Sequence, residues 1–518
     1  MHLTSAQLDS ACGGVLGSAV GDALGAGYEF TYPSQDLIPE MIGGGLGNFA
    51  PGEWTDDTAQ AVAILRVAAT GQDLRSDEAL DAIAQSFADW YAGDPPDVGI
   101  QTRAVLSRAG RTPTAATMTQ AAKHIHEMSG RSAGNGSLMR TGPVALAYLD
   151  DPAELVEAAQ AISALTHYQR EAREACAVWC LMVRHAVLTR EFPTFEDIAP
   201  WTPNPDYWRG ILHEAETNPP REFTQNAWSV GALQAAWSAI HHALRLSRAE
   251  LRRNEKSRWL SDDPKGRSRN QDKSADLPDG DPVFHFQLAL HTAIRIGHDT
   301  DTVAAIAGAL LGARWGMSAI PARWRRPLHG WPGLTGIQLE ELAFLAARKG
   351  EPGKYGWPLV DHIDYVPLQY GMPAYAPHPY DPGVYLSGAT SLDDLPPDTD
   401  AVVSLCLTGT HQVLSGVELI RFRITDEPDP GENPNLDFVL ADAARTIADL
   451  RAEGKRVLVQ CVAAHSRTPS VGIAYAMLKG VPLSEALPRV CSVLPAASPN
   501  SGFRRALHRL EENRSWTR

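Results

Sequence analysis

Two short acidic runs carry the residue types that could hold metal ions. The sequence reads "TDDT" at residues 55–58 and "HDTDT" at 298–302, and each run leads into an apolar stretch rich in small residues. One such residue is enough to cap a helix, whereas adjacent carboxylates repel one another unless a cation neutralises them. Capping explains either run taken alone. Together the runs supply four carboxylates and several threonine hydroxyls, which are the hard oxygen ligands that Mg²⁺ and Mn²⁺ prefer.

A second candidate for chemistry lies near the end of the chain. Cys461 precedes Arg467 by six positions in "VLVQCVAAHSRTPSVGIAYAM", between a predicted strand and a predicted helix. A loop in that place can direct its N–H groups at a phosphate beside a helix amino terminus, where a thiolate is favoured. The arginine would bind the phosphate with two parallel hydrogen bonds, and the thiolate would attack phosphorus. The spacing predicts a cysteine-dependent phosphatase loop, with a phosphate-binding loop that lacks turnover as the alternative.

The composition limits the class of protein. A chain of 518 residues is too long for one hydrophobic core, so more than one domain is expected. The net charge of −15 argues against nucleic acid as a general partner. No apolar run is long enough to cross a membrane, and the first residues lack the pattern of a secretory signal. The six cysteines make no disulfide framework, and a cytoplasmic location is expected.

The elements that must position these residues change character along the chain. Residues 1–350 show helical periodicity and helix caps, such as Ser76 ahead of "DEALDAIAQSFADWYAG", and predict an all-α domain. Within it, segment 251–281 is dense in charge and poor in apolar residues, which predicts a loop or insertion. Proline and glycine dominate residues 351–377, which predicts a linker.

Residues 378–518 alternate between strand and helix patterns. The predicted strands are 401–406, 418–424 and 456–461, and the predicted helices are 435–455 and 468–480. Such an alternation is typical of a compact α/β domain. The sequence therefore predicts a multidomain chain, with an all-α domain followed by a small α/β domain.

Further motifs relate the first domain to a known family. The motifs "GSAVGDALGAGYEF" (17–30), "GNGSLMRTGPVAL" (134–146) and "LTHYQREA" (165–172) occur in one order with the two acidic runs, over roughly 300 residues. This arrangement resembles the ADP-ribosylglycohydrolases. The resemblance implies an all-α fold around a binuclear magnesium or manganese centre. The metal ligands that it implies are Thr55, Asp56, Asp57, Asp299, Asp301 and Thr302.

The same resemblance implies roles for other residues. Glu29, Asp56 and Asp301 would take part in catalysis, and His298, which replaces a glycine usual in the family, would border the substrate. The residues implied to line the ADP-ribose cleft are Gly134, Asn135, Gly136, Ser137 and His167. The implied reaction is hydrolysis of the glycosidic bond at the ribose anomeric carbon, with release of ADP-ribose.

Residues 378–518 resemble the dual-specificity protein phosphatases. The resemblance rests on the cysteine loop together with "VYLSGATSL" before it and "SPNSGFRRAL" after it. It implies that Cys461 is the nucleophile, that Arg467 binds the phosphate and that Thr468 assists departure of the thiolate. Asp426 best matches the general acid, and Asp429 is the alternative.

Three residues of the cysteine loop depart from the phosphatase pattern. Gln460 replaces the usual histidine before the cysteine, and Ala464 replaces a loop glycine. If that glycine position requires a positive φ, alanine is strained there. His465 adds a side chain that could restore positive potential.

Two other functions also fit the first domain. One is a non-catalytic protein that binds ADP-ribose, and the other is a metal-dependent phosphohydrolase that cleaves an ADP-ribose-like ligand. Retention of all the implied ligands favours catalysis. The expected partners are an ADP-ribosylated protein or small molecule and, for the second domain, a phosphoprotein. Nucleic acid is expected only as an ADP-ribosylated substrate, and no membrane partner is expected.

Overall fold

The computed structural model describes residues 2–262, 282–368, 375–494, 496–513 and 516. The chain forms two compact units. The first, called the helical unit, comprises Met1–His2, Ser10–Ile320 and Pro327–Gly350. The second, called the α/β unit, comprises Leu3–Asp9, Pro321–Arg326 and Glu351–Arg518.

Helices make up nearly all the regular structure before residue 350. In chain order they are α1 Ser5–Gly25, α2 Asp56–Ala68, α3 Asp77–Ala92, α4 Ile100–Ala109, α5 Ala115–Ser129, α6 Gly142–Ala147, α7 Pro152–Ala164, α8 Arg170–Thr189, α9 Phe195–Ile198, α10 Pro205–Thr217, α11 Ser229–Asp262, α12 Pro282–Arg295, α13 Thr300–Trp315, α14 Ala322–Arg325 and α15 Gly336–Ala347. A short antiparallel ribbon pairs β1 His329–Gly330 with β2 Leu334–Thr335. The predicted all-α class is confirmed for the helical unit.

Glycines on α1 allow it to lie against α13 at backbone distance. A Cβ added to Gly21 would lie 2.1 Å from the carbonyl oxygen of Ala304, and one added to Gly17 would lie 2.3 Å from that of Gly308. A Cβ on Gly25 would come within 2.5 Å of the Asp301 Cα. Side chains cannot be accommodated at such distances, so these small residues bring the end of α1 beside the acidic start of α13.

Replacing Gly21 by alanine is expected to lower the free energy of unfolding by about 1–3 kcal/mol, because the new methyl group overlaps backbone atoms of α13. Gly14→Ala is the matched control. Its Cβ would lie 3.5 Å from the nearest atom, which is an ordinary contact, and alanine favours a helix interior by about 0.5–1 kcal/mol. Urea unfolding of both variants measures the difference. Equal stabilities would show that the helices do not approach this closely.

The predicted loop at 251–281 differs from the structure in its first part. Residues 251–262 continue α11, which ends at Asp262. Arginine, lysine and glutamate are abundant in this stretch and have high intrinsic helix propensity. Low apolar content therefore did not exclude a helix. Residues 263–281 lie outside the described part of the chain.

The α/β unit is built on a five-stranded sheet. Its strands are β3 Tyr375–His378, β4 Asp381–Gly388, β5 Ala401–Ser404, β6 Glu418–Arg421 and β7 Val457–Cys461. The order is β3-β4-β7-β5-β6, in which β3 is antiparallel to β4 and the other neighbours are parallel. The helices are α16 Leu436–Ala452, α17 Arg467–Leu478, α18 Leu483–Val493 and α19 Ser501–Glu512. The predicted α/β class is confirmed.

The central strand β7 leads directly into the cysteine loop. It pairs with β4 on one side and with β5 on the other, and all five of its residues are buried. Ligands of parallel sheets bind beyond the carboxyl ends of the strands. The topology therefore places Cys461, the last residue of β7, at the functional edge of the sheet.

The segment expected to be a linker contributes to the core of the α/β unit. Trp357, Ile363 and Tyr365 are buried, and the guanidinium of Arg421 lies 5.2 Å from the centre of the Trp357 ring. The Tyr365 hydroxyl donates a hydrogen bond to the carbonyl oxygen of Leu407. The proline and glycine content correctly indicated an irregular backbone. The segment nevertheless differs from a free linker, because three of its large apolar side chains are buried.

Within the described residues, no helix combines the length and the apolar character needed to span a lipid bilayer.

Candidate metal centre and phosphate-binding loop

Asp22 anchors the first acidic run from another helix. This fully buried residue of α1 accepts hydrogen bonds from the backbone N–H of Thr55 at 3.0 Å, from that of Thr58 at 3.0 Å and from the Thr58 hydroxyl at 2.6 Å. The first N–H groups of a helix lack intrahelical partners. Asp22 thus satisfies the start of α2 and fixes the orientation of the "TDDT" run.

The two acidic runs meet in space as two overlapping carboxylate groups. One group consists of Asp22, Asp57 and Asp301, and the other of Glu29, Asp299 and Asp301. In each group, one carboxylate oxygen from each residue lies within 4.8 Å of the oxygens from the other two. Asp301 belongs to both groups. The two groups could therefore hold two cations, with the carboxylate of Asp301 available to both.

These carboxylates are buried close together, so their ionised forms need a nearby positive charge. Burial raises the pKa of Asp57 and of Asp301 well above its ordinary value, and the neighbouring acidic charges raise it further. Burial, followed by the charges of Asp299 and Asp97, raises the pKa of Glu29 to about 8. Like charges in a low-dielectric site cannot all ionise without compensation. A bound cation would supply that compensation.

One oxygen of Asp57 provides a direct test of this fit. The buried Oδ1 accepts no hydrogen bond from any described group, although a buried carboxylate oxygen without a partner is costly. Its other oxygen accepts a hydrogen bond from the Thr55 hydroxyl at 3.0 Å. The orphaned oxygen and the all-oxygen donor set fit Mg²⁺ or Mn²⁺.

Three of the residues implied as metal ligands lie at the edge of these groups. Thr55 caps α2 through its side-chain oxygen, and Asp56 accepts a hydrogen bond from Gln60. The Thr302 hydroxyl lies 3.8 Å from the sulfur of Met139. Burial, then the charge of Asp97, raises the pKa of Asp56, so its carboxylate is part of the same electrostatic cluster.

The sequence motif pairs Asp22 with Glu29, but sequence reasoning gave Asp22 no role in the site and missed Asp97 altogether. Asp22 lies in the "GSAVGDALG" motif of α1, where the four-residue spacing of glycines was the available signal for close packing. Asp97 lies in the loop before α4, is partly buried and raises the pKa of both Glu29 and Asp56. No local pattern marks an aspartate in such a loop as a member of a distant cluster.

The loop implied to line the substrate cleft is tied to the acidic centre. The Asn135 amide donates hydrogen bonds to Asp299 Oδ2 at 2.7 Å and to the carbonyl oxygen of Asn226 at 2.8 Å. Ser137 accepts a hydrogen bond from Ser163. These contacts fix the loop beside the second carboxylate group.

The imidazole ring of His167 packs against this loop. It is buried, and burial lowers its pKa to about 3, so the ring stays neutral. A Cβ on Gly136 would lie 3.1 Å from the ring and one on Gly134 would lie 3.4 Å from it. The two glycines therefore let the loop backbone lie directly on the imidazole.

His298 occupies a left-handed backbone conformation with φ of 65°. Its Nδ1 lies 3.0 Å from Asn226 Oδ1, and its ring packs edge-on against Phe30 at 5.3 Å between centroids. The glycine usual at this position would adopt such a φ without strain. Histidine is retained here at a conformational cost.

Metal-free protein is expected to lose stability as the pH rises from 4.5 to 8. The pKa of Glu29 in the folded chain is about 8, against an ordinary value of 4.5. Its protonated form is therefore favoured by folding, and that stabilisation is lost as the pH rises through the folded pKa. In EDTA, the melting temperature of wild type should fall relative to that of Glu29→Gln across this window. Parallel curves would contradict the prediction, and added Mg²⁺ or Mn²⁺ should remove the difference.

In the α/β unit, the cysteine loop presents unpaired donors at its centre. Among the described residues, none accepts a hydrogen bond from the backbone N–H groups of residues 463–466. Arg467, the first residue of α17, donates from Nη1 to the carbonyl oxygen of Leu405 at 2.8 Å. Its buried Nε hydrogen-bonds to no described group. These donors follow the buried Cys461 in the chain and suit a phosphate dianion.

The structure separates the two candidates for the general acid. Asp426 Oδ2 lies 3.8 Å from Arg467 Nε, and its Oδ1 accepts a hydrogen bond from Asn500. Asp429 instead accepts one from the backbone of Gly431 within its own turn. Asp426 is the candidate beside the loop. Thr468 is buried and donates to the carbonyl oxygen of Ser387 at 3.1 Å.

The residues that depart from the phosphatase pattern have defined contacts. Gln460 hydrogen-bonds through its amide to Ser404 at 2.6 Å and accepts from the thiol of Cys406 at 3.2 Å, which links β7 to β5. Ala464 has φ of 48°, so the strain anticipated for alanine applies. His465 is exposed, and its carbonyl oxygen accepts a hydrogen bond from Ser498.

Ala464→Gly is expected to leave the free energy of unfolding nearly unchanged, within about 0.5 kcal/mol. Relief of left-handed strain offsets the lost methyl burial and the greater freedom of glycine in the unfolded chain. Ala474→Gly, at a buried position inside α17, is the matched control and should cost about 1–2 kcal/mol. Urea unfolding compares the two. An equal cost at both positions would show that Ala464 is unstrained.

Comparisons with known proteins identify a family for the first part of the chain. Residues 3–353 match the family model described as ADP-ribosylglycohydrolase. The match spans more than half of the chain, so the chain belongs to the ADP-ribosylglycohydrolase family. It is a hydrolase that acts on ADP-ribosylated substrates.

Individual relatives cover one unit each. A glycohydrolase of ADP-ribosyl-dinitrogen reductase from Rhodospirillum rubrum is 27% identical over 331 residues, which are 61% of this chain and 89% of that protein. Dual specificity protein phosphatase 1 of Arabidopsis thaliana is 39% identical over 83 residues, 16% of this chain and 42% of that protein. A solved ADP-ribosylglycohydrolase-related protein complex is 27% identical, with a TM-score of 0.45, and covers 67% of this chain and 99% of that one.

Proposed function

We propose that the helical unit removes ADP-ribose from an ADP-ribosylated substrate in a metal-dependent hydrolysis. The observation that carries the proposal is the pair of carboxylate groups that share Asp301, one of them with an orphaned buried oxygen. Asp57, Asp299 and Asp301 would hold two Mg²⁺ or Mn²⁺ ions, with Asp56, Thr55 and Thr302 at their edge. When bound, such ions polarise substrate oxygens and lower the pKa of water.

The remaining steps fall to side chains of this chain. Glu29 is only partly buried, so it can reach a water molecule and accept its proton as that water attacks the anomeric carbon. Asp22 holds the start of α2 so that Asp57 keeps its place. The loop 134–137 would bind the ADP-ribose, with Asn135 fixed to Asp299. The glycosidic bond breaks as the water oxygen bonds to the anomeric carbon, and the leaving group takes the proton that Glu29 accepted.

An assay of the full chain tests this proposal. Purified protein with Mg²⁺ or Mn²⁺ would be incubated with arginine-linked, serine-linked and nucleic-acid-linked ADP-ribose. Release of ADP-ribose is the expected product. Release of AMP would favour the phosphohydrolase alternative, and binding of ADP-ribose without release would favour the non-catalytic one.

We also propose that the α/β unit is a cysteine-dependent phosphatase. The supporting observation is the set of N–H groups at 463–466, which have no hydrogen-bond acceptor among the described residues and lie between Cys461 and Arg467 in the chain, with Asp426 next to the arginine. The Cys461 thiolate would attack phosphorus, and Asp426 would protonate the leaving oxygen. A phosphate-binding module without turnover remains the second candidate, because Ala464 is strained within the loop.

A further inference from the structure

The buried amide of Asn226 joins three parts of the proposed cleft. It is fully buried and lies in the loop before α11. Its Nδ2 donates to the carbonyl oxygen of Gly297 at 2.9 Å, and its Oδ1 accepts from the backbone N–H of Asp299 at 3.3 Å. Its own carbonyl oxygen accepts from the side chain of Asn135. Asn226 is therefore bonded to both neighbours of His298 in the chain.

These backbone partners determine the tautomer of His298. A carbonyl oxygen can only accept and an N–H can only donate, so the contacts with Gly297 and Asp299 fix which end of the Asn226 amide is oxygen. That oxygen lies 3.0 Å from His298 Nδ1, which must therefore carry the proton. In the neutral ring, Nε2 then keeps a lone pair and is a hydrogen-bond acceptor.

The acceptor nitrogen belongs to a half-buried ring whose residue directly precedes Asp299 in the chain. Among the described residues, none hydrogen-bonds to His298 Nε2. The backbone of His298 pairs with residues 30–31, through the Phe30 N–H at 2.6 Å and the Thr31 carbonyl oxygen at 2.9 Å. Phe30 follows Glu29 and His298 precedes Asp299, and oxygens of those two acids lie within 4.8 Å of each other. His298 is thus the chain neighbour of Asp299 and pairs through its backbone with the residue that follows Glu29.

We propose that His298 is a specificity residue of the cleft and that Asn226 is its positioning residue. With Nδ1 committed to Asn226, Nε2 accepts a hydrogen bond from a leaving group that carries N–H donors, such as a guanidinium. A leaving group joined through oxygen presents lone pairs to the same nitrogen and is disfavoured. This inference rests on the proposed glycohydrolase function, because it needs the anomeric carbon at the carboxylate groups.

The backbone supports a selected side chain at this position. His298 has a positive φ, where a residue other than glycine costs roughly 1–2 kcal/mol. Phe30, which packs edge-on against the ring, also has a positive φ and is half exposed. Two strained residues thus hold one ring in place at the edge of the site.

The experiment compares one nitrogen-linked and one oxygen-linked substrate. Full-length wild type and His298→Gly, loaded with Mg²⁺ or Mn²⁺, are assayed on ADP-ribosylarginine and on an ADP-ribosylserine peptide. Glycine suits the backbone at this φ, so the variant is expected to fold. We expect kcat/KM to fall at least tenfold for the arginine substrate and to change less than about threefold for the serine substrate.

A matched control separates the ring from the backbone. Arg190 is the C-cap of α8, has φ of 60° and lies outside the proposed site. Arg190→Gly therefore makes the same backbone change without removing the imidazole. Its substrate ratio should equal that of wild type. An unchanged ratio in His298→Gly, or wild type that prefers the serine substrate, would overturn the inference while leaving the glycohydrolase function in place. Wild type that releases ADP-ribose from neither substrate would overturn the inference, and the function itself would be refuted only if nucleic-acid-linked ADP-ribose were also left intact.

A second measurement needs no turnover. Nitrogen-15 spectra of histidine-labelled protein at pH 8, with the His298 signal assigned by its loss in His298→Gly, report which ring nitrogen carries the proton. We expect the proton on Nδ1. Protonation at Nε2 would contradict the role given to Asn226.

Discussion

Replacing Asp301 by alanine or asparagine is expected to remove bound metal and ADP-ribose hydrolysis together. Asp301 is the carboxylate common to both groups, so its loss deprives each proposed ion of a ligand. Activity should fall by at least about 10³-fold, because proximity and charge stabilisation are lost at once. Elemental analysis after gel filtration measures the metal, and two ions retained by the variant would refute the assignment.

The stability of the same variants should change in opposite directions with and without metal. In metal-free protein, Asp301→Asn removes one of several buried carboxylates that repel one another, so the melting temperature should rise. With saturating Mg²⁺ or Mn²⁺, wild type gains binding free energy that the variant cannot gain, so the variant should melt lower. Asp36→Asn, at an exposed aspartate, is the control and should follow wild type in both conditions. A variant that is less stable in both would indicate a purely structural role.

The two proposed activities should respond to different inhibitors, because the sites handle charge differently. EDTA should abolish ADP-ribose release and spare hydrolysis of an aryl phosphate. Vanadate should do the reverse, since it resembles the five-coordinate phosphoryl state and fits a loop of N–H groups and a guanidinium. Cys461→Ser should reduce aryl-phosphate hydrolysis by at least about 10³-fold, because the hydroxyl is a far weaker nucleophile.

Both assays belong on the full chain. The α/β unit includes Pro321–Arg326 and Glu351–Arg518. A fragment that begins at β3 would therefore lack buried residues such as Trp357. Loss of both activities with EDTA would mean that the metal centre hydrolyses the aryl phosphate. The cysteine loop would then be a binding module. Retention of aryl-phosphate hydrolysis in Cys461→Ser would lead to the same conclusion.

Local sequence patterns determined the classes of both units and most of the candidate residues. Acidic runs at helix starts, glycine-rich motifs and the spacing of Cys461 and Arg467 are short-range features, since the chemistry they serve needs neighbouring residues of fixed type. Strands β5, β6 and β7 and helices α16 and α17 followed from hydrophobic periodicity for the same reason, whereas β3, β4, α18 and α19 were not predicted.

Only the tertiary structure showed how distant residues complete each site. Asp22 on α1 bonds to the "TDDT" run at the start of α2, glycines of α1 allow backbone contact with α13, and Asn226 reaches His298 across more than 70 positions. The buried segment around Trp357 and the positive φ of Ala464 were likewise fixed by packing. Such contacts depend on complementary surfaces that meet only after folding, so no single stretch of sequence encodes them. The sequence by itself determined which groups could do chemistry, and close packing decided which of them lie together.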